Sequence, residues 1–578
     1  MWRRQFNTGT LLACMWGAFP CFAFSEQQPS LILISIDTLR ANHLGCYGDR
    51  RARTPGLDAL AREGTLFSRI ETPVPLTLPA HTSLLTSTYP FTHGVEENGE
   101  QAPAGAVTLA AVLRDRGYAT AAFAGGYVLD ARFGLTSGFD IYDSPFHLGP
   151  DFGEEPPEVK RSAEAVFAAA RQWIAHQPGR PLFAFIHLYD AHQPYSHGAY
   201  DNEIAYIDEQ FRGFTEFLAA QGRLGNAVIA VTADHGESLG EHGEQTHGYF
   251  IYESTLWVPL VIRWPAAMGR QPRRIDDPGS LIDVAPTLLH ALGVAPPPRF
   301  QGHSLLRRPP GEEAIYAESM YARDHLGCSA LRAIRFGRYK YIDAPKPELY
   351  DLTADPGETR NLYDRDRSRA LALRGRLGAL EQRGRQPHRA ASDEAATSGL
   401  RSLGYLAGAP SGAGSGADPK DRLREYEAYG RAIRFSNAGR FPDAIRELRT
   451  ILGEDGGNRL ARFYLAVCYY RLRRLDDAIE ELKAVQKMYP AYAPAQQLLG
   501  TIWLVRRDYG RARRQFEELA AIAPGNFGAH YNLGILAMRE GRREDAIREL
   551  QAAVRADPGS TQARAALDEV EGQNKAVR

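Results

Sequence analysis

Four alanines, Ala444, Ala478, Ala512 and Ala546, recur at intervals of 34 residues in the last third of the chain. Pro490, Pro524 and Pro558 keep the same interval, with Gly456 at the earlier equivalent place. Gly500 and Gly534 repeat it again, with Ala466 and Ala432 in the earlier copies. One unit is plain in "HYNLGILAMREGRREDAIRELQAAVRADPGS" (530–560): a helical pattern, a short basic turn, a second helical pattern, then Asp-Pro. Small residues let the two helices approach closely, and proline ends the second. A unit this short cannot bury its apolar face alone, so successive units must stack into a helical solenoid. Residues 424–573 are therefore expected to be all-α.

The sequence before the repeats has a different grammar. "LILISID" (31–37), "YATAAFAG" (118–125), "PLFAFIHLYD" (181–190) and "NAVIAVTADHG" (226–236) are apolar runs with polar residues at their ends. Runs of this kind suit strands of a parallel sheet buried on both faces. Helical patterns separate them at 54–64, 108–117, 162–177 and 202–222. The alternation predicts an α/β fold with an open sheet flanked by helices over 26–385, and a site at the carboxyl edge of the sheet. Between the two regions, 386–423 is rich in Gly, Ala, Ser and Pro and reads as a linker, most flexible at "APSGAGSGADP".

The first 25 residues pair Arg3 and Arg4 with the uncharged "TLLACMWGAFPCFAF" and small residues before Glu26. This is the plan of a secretory signal peptide, so the mature chain is expected to be exported, periplasmic or extracellular, with no stable membrane span after cleavage. Charges nearly cancel, 68 Lys+Arg against 69 Asp+Glu. No basic excess points to nucleic acid, and the arginines of the repeats (Arg471, Arg473, Arg474, Arg506, Arg507, Arg511, Arg513, Arg514) are balanced by acidic runs such as "DDAIEEL". Cys46, Cys328 and Cys468, the three cysteines beyond the leader, are widely spread and read as small buried hydrophobes.

Asp37 ends the first apolar run, and Asp234-His235-Gly236 ends a later one. Two carboxylates and an imidazole meeting at one sheet edge are plausible ligands for a divalent cation. Six further segments set this pair in context. "LILISIDTLRANHLGCYG" (31–48), "TPGLDALAREGTLFSR" (54–69), "TLPAHTSLLTSTYPFTHGV" (77–95), "TLAAVLRDRGYATAAF" (108–123), "HLYDAHQPY" (187–195) and "TADHGESLGEHGEQTHG" (232–248) resemble, in order, the sulfatase family of the alkaline phosphatase superfamily. "LRAIRFGRYKYI" (331–342) and "ELYDLTADPGETRNL" (348–362) are similar to that family's smaller C-terminal subdomain. The downstream repeats resemble a tetratricopeptide array, four units and a terminal helix.

The departures from the family are chemical. Sulfatases carry Cys-x-Pro-x-Arg, whose cysteine becomes formylglycine; here the stretch is Thr77-Leu78-Pro79-Ala80-His81. Thr38 stands where many members have a second metal-binding aspartate, and "AAFAGGYVL" runs where a paired lysine and histidine are expected. A threonine ester cannot eliminate sulfate as a formylglycine hemiacetal does, so turnover would need attack by water on a covalent intermediate. Pro79 suits a first helical turn, which places Thr77 just before a helix N-terminus that favours an anionic group.

The resemblance thus implies Thr77 as nucleophile, with His81, His192 and His247 as catalytic candidates. It implies Asp37, Thr77, Asp234, His235 and Asp190 as metal-ligand candidates for one or two ions of Ca, Mg, Mn or Zn. His93, His197 and His303 read as hydrogen-bonded structural residues. The expected function is hydrolysis of phosphate or sulfate esters, the phosphoester favoured, with a glycan- or lipid-linked ester among the candidate substrates. True sulfate-ester hydrolysis, phospho-group transfer and an inactive scaffold are the alternatives. The repeats are expected to bind a protein partner.

Overall fold

The computed structural model describes residues 28–146, 159–307, 314–384, 416–557 and 560–572. The leader and most of the linker lie outside these residues. The main sheet is built from β1 (Ser30–Ile36), β2 (Thr65–Glu71), β3 (Ala119–Phe123), β4 (Ile141–Asp143), β5 (Leu182–Leu188), β6 (Ala227–Thr232), β7 (Trp257–Arg263), β8 (Arg273–Ile275) and β9 (Gly279–Ser280). Its order is β4-β3-β5-β1-β6-β7-β2-β8, with β9 beside β2.

The four apolar runs form the adjacent strands β3, β5, β1 and β6, all parallel. β1 and β5 are buried along their whole length, as a strand covered by helices on both faces requires. Each fully buried Leu or Ile contributes roughly 1.5–3 kcal/mol. The sheet turns mixed beyond β6, because β7 runs antiparallel to both β6 and β2. Chain reversal on the two sides of β1 leaves a crevice at the carboxyl ends of β1, β5 and β6, where an open α/β sheet places its ligands.

A second, antiparallel sheet comprises β10 (Ala314–Ser319), β11 (Leu331–Phe336), β12 (Tyr339–Asp343) and β13 (Glu348–Asp351). Lys340 of β12 fastens it to the main domain. Its ammonium is 1% exposed and lies 3.2 Å from Glu253 and 2.8 Å from Glu358. Arg335 of β11 pairs with Glu71 at the end of β2.

The repeat region folds as four helical pairs and a terminal helix. The first pair is Leu423–Asn437 with Phe441–Glu454, the third Ala493–Val505 with Tyr509–Ile522. The four period-34 alanines are fully buried between helices. At Gly500 a Cβ would stand 2.6 Å from the Phe516 ring, so the small residue at this repeat position is a packing requirement. The array does not hang free. Residues 416–423, inside the stretch read as linker, are docked on the main domain: Ser329 N donates to Ala417 O (2.8 Å), Tyr249 Oη to Pro419 O (2.8 Å) and Lys346 N to Asp418 Oδ2 (2.8 Å). Cys328 and Cys468 are buried and Cys46 half-buried, all as thiols. No helix among the described residues is long and apolar enough to cross a membrane.

Candidate active site

Thr77 is the first residue of the helix Thr77–Thr86, whose ten residues are all buried. The hydroxyl thus sits one position inside the helix rather than before it, with Pro79 still in the first turn. Thr77 Oγ1 lies 3.4 Å from His235 Nε2. His235 follows β6 and donates Nδ1–H to its neighbour's carbonyl, Gly236 O (2.9 Å). A carbonyl can only accept, so the neutral ring carries its lone pair on Nε2, the nitrogen facing the threonine.

Asp37 and Asp234, at the ends of β1 and β6, are both fully buried beside Thr77. Asp234 Oδ1 accepts from His235 N (2.8 Å) and Thr38 N (3.2 Å). His187 Nε2–H donates to Asp37 Oδ2 (3.2 Å). Asp37 Oδ1 and Asp234 Oδ2 are sealed from water, and neither receives a hydrogen bond from the described residues. Burial pushes the Asp37 carboxyl up to about 6. Asp234 is raised by burial and then by the charge of Asp37. Two buried carboxylates with an unsatisfied oxygen each, beside an imidazole lone pair, are a set that a divalent cation satisfies and a proton satisfies poorly.

Two triads have ligand atoms within 4.8 Å of one another: Asp37, Asp234 and His235, and His81, His187 and Asp234. His81 has both nitrogens engaged, Nδ1–H on Thr77 O (2.7 Å) and Nε2 on Ser35 Oγ (2.9 Å). Burial pushes it down to about 3, so it is a neutral strut between the helix and β1. The first triad is therefore the better cation site, and the arginine's replacement positions the Thr77 turn by hydrogen bonding rather than by charge.

Thr38 has left-handed backbone (φ 57°), which costs a β-branched residue on the order of 1–3 kcal/mol. Its hydroxyl bonds Asp37 O (2.7 Å), and Tyr200 Oη donates to its carbonyl (2.6 Å). The strain holds Thr38 N against Asp234, so this residue orients a ligand candidate without being one.

His192 and His247 form the outer wall, with ring centroids 5.1 Å apart. Burial pushes His247 down to about 4 and His192 well below its usual range. His192 holds Nδ1–H on Gln193 O (2.5 Å), which makes Nε2 its acceptor nitrogen. His247 Nδ1 meets Glu237 Oε1 at 3.0 Å. Asp190 is not brought into either triad: its Oδ1 accepts from Ala163 N (3.2 Å) at the start of the helix Ala163–Ala175. His93, His197 and His303 lie in structural contacts; His93 meets Ser83 Oγ (3.0 Å) and His197 meets Glu203 (2.7 Å). The backbone N–H of His303 donates to Asp283.

The sequence assigns no role to four contributors, although His187 and Glu237 lie within the segments 187–195 and 232–248. Ser35 and His187 are register partners on β1 and β5, which turns both towards His81. Glu237 backs His247. Lys160 spends its ammonium on three carbonyls of the His192 loop: Asp190 O (3.2 Å), His192 O (2.8 Å) and Pro194 O (3.1 Å). Lys160 also bridges to Gly126, in the stretch where the expected lysine and histidine are missing. A Cβ on Gly126 would meet the Tyr189 ring at 2.6 Å, so a larger residue has no room there.

Comparison with known families agrees with this geometry. The sulfatase family model matches residues 29–294, and the model for the C-terminal part of N-sulphoglucosamine sulphohydrolase matches 240–382. This is a sulfatase-family domain. Tetratricopeptide-repeat models match 429–493 and 506–569, so a sulfatase-like ester hydrolase is joined to a repeat array. The sulfatase domain is 25% identical over 396 residues to an ulvan-active sulfatase of Formosa agariphila, covering 58% of this chain and 77% of that one. It is 25% identical over 532 residues to the steryl-sulfatase of Mus musculus, covering 64% and 84%. Among solved structures, the phosphonate monoester hydrolase of Agrobacterium radiobacter shares the fold of the sulfatase domain with a TM-score of 0.53 at 22% identity, over 62% of this chain and 96% of that one.

Proposed function

We propose that the sulfatase domain hydrolyses phosphate esters in preference to sulfate esters, with Thr77 as nucleophile. The observation that carries this reading is the buried Thr77 hydroxyl, set beside the Asp37–Asp234–His235 triad in place of a formylglycine cysteine. Asp37, Asp234 and His235 would hold one divalent cation. Bound there, it would neutralise charge on the ester oxygens and lower the pKa of the adjacent hydroxyl.

The chain's own groups account for the rest. The N–H of Leu78 is spent on Asn98 Oδ1 (2.9 Å) and that of Ala80 on Leu76 O (3.0 Å), and Pro79 has none, so neutralising the anion would fall to the cation rather than to the helix start expected from the sequence. Attack of Thr77 Oγ on phosphorus, its proton passing to His192 Nε2, breaks the bond to the ester alcohol, which takes up that proton as it departs. Water then attacks the same phosphorus, His192 Nε2 accepting its proton and passing it to Thr77 Oγ as the phosphorus–threonine bond breaks, which restores both the hydroxyl and the neutral imidazole. This double displacement needs no aldehyde. The relatives' names favour sulfate; the residue at 77 argues against it, because a threonine sulfate ester has no elimination route. The leader-like first 25 residues support export, and the repeat array supports a protein partner.

The test is turnover of matched nitrophenyl sulfate, phosphate monoester and phosphate diester by wild type and Thr77→Ala, each with Ca, Mg, Mn and Zn. Dominant phosphoester turnover that is lost in the variant supports the reading. Dominant sulfate turnover overturns the preference, and turnover retained by Thr77→Ala overturns the nucleophile.

A further inference from the structure

The first helix of the repeat array, Leu423–Asn437, faces His192 and His247 across a cavity. Tyr426 stacks on Tyr249 at 4.2 Å, and its hydroxyl meets Thr246 Oγ1 at 3.0 Å and His247 O at 3.4 Å. These contacts pin the helix to the very loop that carries His247. Between the two lies a cavity of about 420 Å³, with His192 and His247 on the hydrolase side and Tyr426, Tyr429 and Ile433 on the repeat side. Tyr321 closes one flank, and the lining is predominantly apolar. A cavity of this size and character is in the range that encloses a small organic ligand, roughly 300–1,000 Å³.

We propose that the repeat helix is a wall of the substrate cleft, and that this cavity receives the alcohol part of the ester. Its chemical class is a flat, apolar ring-bearing alcohol. This rests on the reading of Thr77 as the reacting group: His247, which lines the cavity, has its ring 4.4 Å from that of His235, and His235 Nε2 lies 3.4 Å from Thr77 Oγ1. An apolar, tyrosine-walled space against His192 and His247 favours a ring face over a short polar alcohol. The array then selects the substrate as well as binding a partner.

Gly430 lines the cavity on the same helix, and its backbone is ordinary helix. A Cβ added there meets only the flexible end of Arg434, at 3.2 Å, and replacing a helical glycine favours the helix. Gly430→Leu is therefore a filling variant compatible with folding. Asn437→Trp, at an exposed position lining the same cavity, is a second.

The experiment has two arms on the full chain. In the first, 2-naphthol binding is followed by its fluorescence in wild type and both variants. In the second, kcat/KM is compared for 2-naphthyl and methyl phosphate esters. The proposal expects 2-naphthol to bind wild type and to bind either variant about tenfold or more weakly. It also expects the naphthyl-to-methyl preference to fall by a similar factor. It is overturned if wild type does not bind 2-naphthol, or if both filled variants bind it as wild type does. Binding without turnover of either ester would sink the Thr77 reading and leave the pocket standing.

Discussion

Removing the charge of Asp37 should have opposite effects with and without a cation. Asp37 is fully buried, and in the metal-free protein burial raises its carboxyl from an ordinary 3.8 to about 6. An acid whose pKa is raised by folding holds more protons folded than unfolded between those values, so stability falls as pH rises through that window. Above it the full penalty is present, about 3 kcal/mol at roughly 1.4 kcal/mol per pKa unit. Asp37→Asn keeps an acceptor for His187 Nε2–H and deletes the charge. Chelated Asp37→Asn should therefore be more stable than chelated wild type at pH 7.5, by about 1–3 kcal/mol. The gap should close as pH falls towards 4. With the cation present the sign should invert, because the variant loses a ligand. The assay is the urea midpoint of the first unfolding transition, at pH 7.5 and at pH 4.5, with chelator and with metal. If Asp37→Asn destabilises the chelated protein at pH 7.5 as much as the loaded one, the buried pair is not a cation site.

Three other outcomes follow from the geometry. Lys160→Met removes the donor that ties together three carbonyls of the His192 loop, and kcat/KM should fall roughly 10- to 100-fold with the melting transition nearly unmoved; an unchanged rate would show that the loop is held by other means. Lys340→Met strands the Glu253 and Glu358 carboxylates in the interface between the two sheets, which should cost about 3–5 kcal/mol in the urea midpoint; a shift below about 1 kcal/mol would mean the cluster is hydrated. His93 and His247 are pushed down by burial to about 3 and about 4. The unfolded chain therefore takes up their protons first, stability is lost as pH falls from about 6.5 towards 4, and His93→Gln should flatten that slope in a pH series of urea melts.

The central fold was legible because its strands are unusually plain. The runs at 31–37, 118–125, 181–190 and 226–236 became the four adjacent parallel strands, and their polar ends became the site edge. The antiparallel direction of β7 against β6 and β2 carries no such signal, although β7 is itself an apolar run, since direction is set by connections rather than by composition. Asp37, Thr77, His81, Asp234 and His235 converge as their motifs imply. Asp190 does not: one oxygen is held by the N–H of Ala163 at a helix start, and its other oxygen, though buried without a hydrogen bond among the described residues, lies outside both triads. His187 stood out at a strand end, but pairing it with Ser35 needed strand register, and Lys160 needed the path of a connecting segment, neither of which can be read one residue at a time. The docking of 416–423 was hidden by a composition that resembles free linker: carbonyls of Gly416, Ala417 and Pro419, which any residue supplies, share the anchoring with the side chains of Asp418, Lys420 and Asp421.

The most direct measurement is mass spectrometry of the peptide containing residue 77 after rapid acid quench of the loaded enzyme turning over an aryl phosphate ester. The account predicts a phosphoryl adduct on Thr77 that forms within one turnover and is absent from Thr77→Ala. Steady turnover with no adduct on Thr77, and with Thr77→Ala equally active, would contradict it.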